Sequence, residues 1–237
     1  MPVRARLLRS SALVLLAMTM LTASPKLTEA ATACHTCAAA CTSEPDRSRV
    51  VHLWLFNQTR IDDGTLAEIV GAANRIWMPY GLAIELGQGP DAIKIIVSPG
   101  LMPSATTAPG LALGDTLFTE GHASPYIHLW RGGAEALAMS AEIEGRTFTS
   151  RPIVEQNAIL AQMLGVALAH ELGHYLLDSS RHSTAGLLRA TIEVNDLAYP
   201  QPSHLRLTSE QRRRICLPRA DAVAEHDGPR REPHGSN

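Results

Sequence analysis

The feature that most constrains this chain is the run His170-Glu171-Leu172-Gly173-His174, which lies within a long apolar segment. Residues four apart lie on the same face of an α-helix, so a helix here would place the two imidazoles side by side, with the Glu171 carboxylate next to them. Two histidines at this spacing can bind one metal ion, and the carboxylate can accept and deliver protons. Such a run also occurs by chance, and this chain has ten histidines, so the surrounding residues decide between the two interpretations.

The residues before this run predict the helix that a metal site needs. No proline occurs from 153 to 169, and Pro152 stands where a helix often begins. Apolar residues recur there at helical spacing, among few polar ones: Leu160, Met163, Leu164, Ala167 and Leu168. Such a helix belongs in the core, where two histidines and a glutamate are costly unless they are paired or bound to a metal ion. The context therefore favours a metal site, with His170 and His174 as ligands and Glu171 as general base.

A catalytic zinc ion takes three protein ligands, and two residues downstream are candidates for the third. His182 lies eight residues beyond His174, which in a continuous helix would put it about 12 Å further along the axis and out of reach. We therefore expect the helix to end near Leu177 and to reverse through residues 178–180, since aspartate tolerates the left-handed conformation that a reversal needs. The alternative ligand is Glu193, which would extend from a second helix over 191–196. We favour His182.

With His182 as third ligand, residues 168–189 resemble the metzincin clan of zinc metalloproteases, which includes the matrixins. The clan pattern is HExxHxxGxxH, followed by a turn that carries a methionine beneath the metal. This chain has HELGH, a short turn, His182-Ser183 and then GLLR at 186–189. Leu177 stands where the clan has its glycine, His182 comes two residues later than the clan histidine, and Leu188 takes the place of the turn methionine. Leucine can fill the same apolar volume.

The resemblance is closest to small secreted bacterial zincin-like proteins, and it implies a fold and a site. The implied fold is an α+β zincin-like catalytic domain, in which a mixed twisted sheet packs against an active-site helix and a backing helix. The implied cofactor is Zn²⁺. In zincins an edge strand beside the active-site helix binds the substrate as an added β-strand, and residues 111–118 or 126–130 are the candidates here. Tyr199 is a candidate for stabilising the oxyanion, as a tyrosine after the turn does in some metzincins.

Residues 50–130 are predicted to form strands and one helix. Apolar runs predict strands at 50–56, 82–86 and 93–97, with two shorter strands at 117–118 and 126–130. Asp62 and Asp63 can cap a helix that ends before Pro79 and Gly81. A strand–helix–strand opening favours a mixed sheet with helices packed against it. Near the end of the chain, Thr208 and Gln211 predict a capping box for a short helix through residue 215.

The N-terminal residues indicate export. Three arginines precede an apolar run over 11–23, which is typical of a signal peptide cleaved around residues 30–33, although a retained N-terminal anchor is an alternative. The run is too short for a comfortable membrane span, so we expect no stable membrane insertion and a secreted or periplasmic protein. Residues 1–33 carry three more positive than negative charges, so the chain of formal charge −2 would be left near −5 without them. This mild acidity argues against nucleic acid as a partner.

The four cysteines also fit an oxidising compartment. Cys34, Cys37 and Cys41 lie close together, and Cys216 lies far from them in the sequence. An even count predicts two disulfides, one of which joins Cys216 to one of the other three, and the sequence leaves the choice among them open. We divide the chain into a signal peptide (1–33), a cysteine-containing segment (34–49), a metalloprotease domain (50–216) and a disordered tail (217–237).

Two functions from different classes fit these residues. The first is a secreted zinc-dependent metallopeptidase, an endopeptidase, which hydrolyses peptide bonds with a zinc-activated water and Glu171 as general base. The second is a non-catalytic metal-binding or adhesive module on a degenerate protease scaffold. Glu171 favours the enzyme, because a purely structural zinc site has four ligands and needs no base. We therefore expect a peptide or protein as the substrate.

Overall fold

A five-stranded mixed sheet forms the centre of the structure, a computed structural model that describes residues 49–101 and 112–216. The strands are β1 (Arg49–Asn57), β2 (Leu82–Leu86), β3 (Ile93–Ser98), β4 (Gly114–Thr119) and β5 (His122–Trp130). Their order across the sheet is β2-β1-β3-β5-β4. The first four strands in this order are parallel to their neighbours, and β4 runs antiparallel to β5 at the edge. The predicted strands are confirmed, and the two short segments expected at 117–118 and 126–130 are parts of one longer hairpin.

Two long helices pack together beside this sheet. They are α1 (Asp63–Trp77) and, after α2 (Arg131–Ser140), α3 (Ile153–Leu177). Asp62 caps α1, because its Oδ1 accepts a hydrogen bond of 2.9 Å from the Thr65 N–H. The expected helix before and through the histidine run is confirmed as α3, which begins after Pro152 and is buried along most of its length.

A close approach between α1 and α3 holds the histidine run against the core. A Cβ on Gly165 would lie 2.3 Å from the Ala72 Cβ and 2.7 Å from the Ile69 carbonyl oxygen, so the two backbones meet where one residue has no side chain. One turn further along, the Trp77 Nε1–H donates a hydrogen bond of 3.1 Å to the Ala169 carbonyl oxygen. These contacts fix α3 immediately before His170.

The connection from 131 to 151 contains structure that the sequence did not indicate. Besides α2 it holds a two-stranded hairpin of β6 (Glu142–Ile143) and β7 (Arg146–Thr147). Gly132 and Gly133 weaken any helix prediction there, yet each is needed. A Cβ on Gly132 would lie 2.5 Å from the Pro99 carbonyl oxygen, and a Cβ on Gly133 would lie 2.7 Å from the Ala112 carbonyl oxygen.

Two short helices complete the described chain, α4 (Val194–Ala198) and α5 (Ser209–Cys216). The capping box of α5 is confirmed, since the backbone N–H and the side chain of Thr208 exchange hydrogen bonds with those of Gln211. The helix expected over 191–196 begins later, with Glu193 at its N-cap. No helix in residues 49–101 and 112–216 is both long enough and apolar enough to cross a membrane.

Several predictions fall on residues outside the described ranges. These are the signal peptide, the cysteine-containing segment up to residue 48, and the tail from 217. The boundaries placed there stay predictions. So do the disulfides, because three of the four cysteines precede residue 49.

Candidate metal centre

Three histidines come together at the C-terminal end of α3. One nitrogen of each of His170, His174 and His182 lies within 4.8 Å of the others, which is close enough for all three to bind one metal ion. The Nε2 atoms of His170 and His174 are 3.0 Å apart, near the distance of about 3.3 Å between two nitrogens bound tetrahedrally to zinc. The His182 ring centroid lies 5.3 Å from that of His170 and 4.9 Å from that of His174. The first two rings are largely buried, whereas His182 is exposed.

Backbone carbonyls fix the orientation of the two helical rings. The His170 Nδ1 lies 2.8 Å from the Leu187 carbonyl oxygen, and the His174 Nδ1 lies 2.6 Å from that of Ser179. A carbonyl only accepts hydrogen bonds, so each Nδ1 carries the hydrogen and each neutral ring keeps a lone pair on Nε2. Two lone pairs 3.0 Å apart repel one another unless a cation lies between them. The pair is therefore arranged for a cation.

Both helical histidines favour the neutral form. Burial lowers the pKa of His170 to about 4. The neighbouring His174 lowers this pKa further, and the hydrogen bond to Leu187 raises it. Burial also lowers the pKa of His174. A histidine must be neutral to bind a metal ion, so at neutral pH these two rings can bind one without first releasing a proton.

The turn after α3 brings His182 back to the other two histidines. The helix ends at Leu177, and Asp178 adopts the left-handed conformation with φ 47° and ψ 53°. The Ser179 N–H then donates a hydrogen bond of 3.1 Å to the His174 carbonyl oxygen. The predicted helix end and the left-handed aspartate are confirmed, and the reversal takes place without the glycine of the clan pattern.

The loop after His182 returns beneath the helix. The Ser183 N–H donates a hydrogen bond of 2.8 Å to the Leu188 carbonyl oxygen, and Gly186 has φ 81°. Leu188 is 1% exposed, and a Cβ on Gly173 would lie 2.6 Å from its Cδ2. Leu188 thus packs against α3 at Gly173, which lies between the two histidines in the sequence.

The Glu171 carboxylate is buried against the edge strand β4. Its Oε2 accepts a hydrogen bond of 2.8 Å from the Thr116 hydroxyl. Gly114 makes room for it, because a Cβ there would lie 2.9 Å from the Glu171 Cγ. Burial raises the pKa of Glu171 to about 7; the charge of Asp115 acts in the same direction, and the Thr116 hydrogen bonds oppose it. A pKa near neutrality suits a residue that must both take up and release a proton.

The site therefore combines three clustered imidazoles with one carboxylate next to β4, which has a partner strand on one side only among the described residues. The chain matches no protein-family model and no curated protein. Of the two segments proposed as the edge strand, 126–130 is excluded, because it belongs to β5 and pairs with both β3 and β4. The edge strand next to Glu171 is β4, which carries Gly114 and Thr116 against this side chain.

Two other candidate residues lie apart from this cluster. Glu193 is exposed, and the metal-binding group found within the described ranges does not include it. The Tyr199 hydroxyl accepts a hydrogen bond of 3.0 Å from Arg151, which also pairs with Glu155 in the first turn of α3. That turn lies roughly 22 Å along the helix from His170, so the suggestion that Tyr199 stabilises the oxyanion is wrong.

The residues that position Glu171 are not predictable from the sequence. Thr116 and Gly114 lie more than fifty residues before it, in a strand recognised only by its Leu117-Phe118 pair. Nothing in the sequence signals their contact with the helix, because that contact depends on which strand occupies the edge of the sheet.

Proposed function

We propose that this chain is an exported zinc metallopeptidase of the metzincin type, in which His170, His174 and His182 bind Zn²⁺ and Glu171 is the general base. The observation that carries the proposal is the 3.0 Å separation between two Nε2 atoms whose rings both donate through Nδ1. Three neutral imidazoles are the ligands of several catalytic zinc sites, and they leave a fourth position open.

The chain's own residues suit the hydrolysis of a peptide bond. A zinc ion at the three histidines would polarise the substrate carbonyl and lower the pKa of a water molecule. Glu171 accepts a proton and delivers it to the leaving amine. The Thr116 hydroxyl lies 2.8 Å from Oε2, which holds the carboxylate in place against β4.

Within the ranges that the structure describes, β4 pairs on one side only, and its other edge suits a peptide substrate. A peptide in extended conformation can pair with the unpaired backbone groups of an edge strand. Thr116 connects that strand directly to Glu171, so a substrate paired there would lie beside the general base. Together with the predicted signal peptide, this supports a peptide or protein substrate outside the cytoplasm.

Replacing the general base tests the proposal. We expect Glu171→Gln to bind zinc in the same stoichiometry as the wild type and to lose about 10²–10⁴-fold in the rate of peptide cleavage. Glu193→Gln is the matched control, because this glutamate is exposed and lies outside the cluster, and it should cleave at the wild-type rate. Cleavage of a peptide library by Glu171→Gln at the wild-type rate would refute the assignment. A wild type that binds zinc and cleaves nothing in the library would favour the non-catalytic module.

A further inference from the structure

A second feature of the molecule is a groove of about 560 Å³ between α1, α3 and the segment from 200 to 206. It contains none of the three histidines; Gln162, its contribution from α3, precedes His170 by two helical turns, or about 12 Å along the axis. Its volume falls in the range of ligand-binding sites, which run from about 300 to 1,000 Å³. The groove is therefore separate from the metal centre and large enough to hold a few residues of a peptide.

Three arginines give the groove its charge. Arg75, Arg206 and Arg212 line it, and no acidic residue of the described ranges does. None of the three forms an ion pair with a carboxylate in residues 49–101 or 112–216. The groove thus presents positive charge that the described part of the chain leaves without a counter-charge.

The side chain of Arg212 is already held in place for a ligand. Its guanidinium carbon lies 5.6 Å from the centre of the Tyr80 ring, a cation–π contact that limits the positions it can take. A guanidinium is suited to a carboxylate, which accepts two parallel hydrogen bonds from it.

The other lining residues are mostly apolar, apart from Tyr80 and Gln162, and the Gln162 Oε1 accepts a hydrogen bond of 3.1 Å from Arg75. They include Pro79, Pro200 and Pro202, which have no backbone N–H, together with Ile76 and Leu205. Such walls favour a ligand with apolar side chains between its charges, which describes a peptide better than a nucleic acid backbone with one phosphate per residue.

We propose that this groove binds an acidic segment of another polypeptide, with its carboxylates on Arg75, Arg206 and Arg212 and its apolar side chains on the prolines. The chain's own residues 217–237 are a poorer match, because they carry four acidic residues against three arginines and are almost neutral. The binding does not depend on peptidase activity, although in a peptidase it would favour substrates with an acidic segment.

Fluorescence anisotropy with a labelled peptide tests this binding. The probe is Glu-Pro-Glu-Leu-Glu-Pro, the reference is its Gln-Pro-Gln-Leu-Gln-Pro counterpart, and the full chain carries Glu171→Gln so that the peptide is not cleaved. We expect the glutamate peptide to bind at least 10-fold more tightly than the glutamine peptide, with an affinity that falls as salt is added.

Variants locate the binding site. Arg212→Gln and Arg75→Gln should each weaken binding of the glutamate peptide by about 10-fold, with an unchanged circular dichroism spectrum. Arg213→Gln is the matched control, because Arg213 is exposed on the same helix and does not line the groove. If one of these two groove variants fails to fold, the other still tests whether the peptide binds in the groove.

Three results would overturn the proposal. The first is equal binding of the two peptides, or an Arg213→Gln variant that loses as much affinity as Arg212→Gln. The second is tighter binding of a single-stranded hexanucleotide than of the glutamate peptide, which would indicate a nucleic acid partner. The third is a rise in peptide affinity when the four tail acids, Asp221, Glu225, Asp227 and Glu232, become amides. That rise would show that the tail itself occupies the groove.

Discussion

The buried imidazole of His170 and the buried carboxylate of Glu171 have pKa values that burial shifts in opposite directions. The pKa of His170 falls to about 4 and that of Glu171 rises to about 7. Without a metal ion, both side chains are therefore neutral between these values. A bound cation would favour the ionised carboxylate, which is the form that a general base needs.

These two shifts predict a pH dependence of the unfolding free energy of the metal-free protein. Between about pH 4.5 and 7 folded Glu171 holds a proton that the unfolded chain has released, so its contribution to stability falls as pH rises. Between about pH 4 and 6.5 the unfolded chain protonates His170 and the folded protein does not, so this contribution rises with pH. The two slopes oppose each other in the wild type.

Glu171→Gln removes the falling contribution alone. Denaturant titrations in a chelator at pH 5.0 and 6.5 should show stability rising more steeply with pH in Glu171→Gln than in the wild type. We expect a difference of about 1.4 kcal/mol per pH unit. Equal slopes in the two proteins would mean that Glu171 is not buried as described.

At the scale of single residues, the sequence predicts which side chains share one face of a helix. It does not predict contacts between side chains on different elements. The i, i+4 spacing was sufficient to place His170 and His174 together. The contact of Thr116 with Glu171 has no such local rule, because it depends on the sheet order and on the register of β4 against β5.

At the scale of elements, the crossing of α1 and α3 at Gly165 positions the histidine run. We expect Gly165→Ala to lower the unfolding free energy by about 2 kcal/mol, since its Cβ would collide with Ala72 and with the Ile69 carbonyl. The matched control is Gly71→Ala on α1, whose Cβ would meet only the Arg75 side chain, at 3.6 Å. That variant should gain up to about 1 kcal/mol from helix propensity. Equal effects in urea denaturation would contradict the close crossing.

The left-handed Asp178 links the end of α3 to the β4–β5 hairpin. Its Oδ1 accepts a hydrogen bond of 2.6 Å from the Ala123 N–H, and its Oδ2 lies 2.8 Å from the His122 Nδ1. Asp178→Ala should lower the unfolding free energy by about 2 kcal/mol, because alanine disfavours this conformation and loses these bonds. Asp178→Asn should cost clearly less, since asparagine tolerates the conformation and its Oδ1 still accepts. Equal losses in thermal or urea denaturation would show that the turn does not need this side chain.

The sequence predicted the elements that have strong local patterns. It did not predict those whose residues are set by contacts with distant parts of the chain. The caps at Asp62 and Thr208 are local signals, and both helices begin there. Helix α2 was missed because Gly132 and Gly133 lower its propensity, while the structure uses both for close contacts with distant carbonyls.

At the scale of the whole molecule, the three-histidine cluster joins parts of the chain that the fold must first bring together. His170 and His174 extend from α3, whereas His182 reaches them only because Asp178 reverses the chain and the 183–189 loop packs beneath Gly173. The sequence left two candidates for the third ligand because the choice depends on this three-dimensional path. The structure brings His182 to the pair and leaves Glu193 exposed at the start of α4.

The measurement that tests this account most directly is the zinc content of purified wild type, His182→Ala and Glu193→Ala, determined by elemental analysis after dialysis against a weak chelator. We expect one zinc ion per chain in the wild type and in Glu193→Ala, and a large loss in His182→Ala, whose remaining two ligands bind too weakly. Zinc retained by His182→Ala and lost by Glu193→Ala would contradict the three-histidine centre.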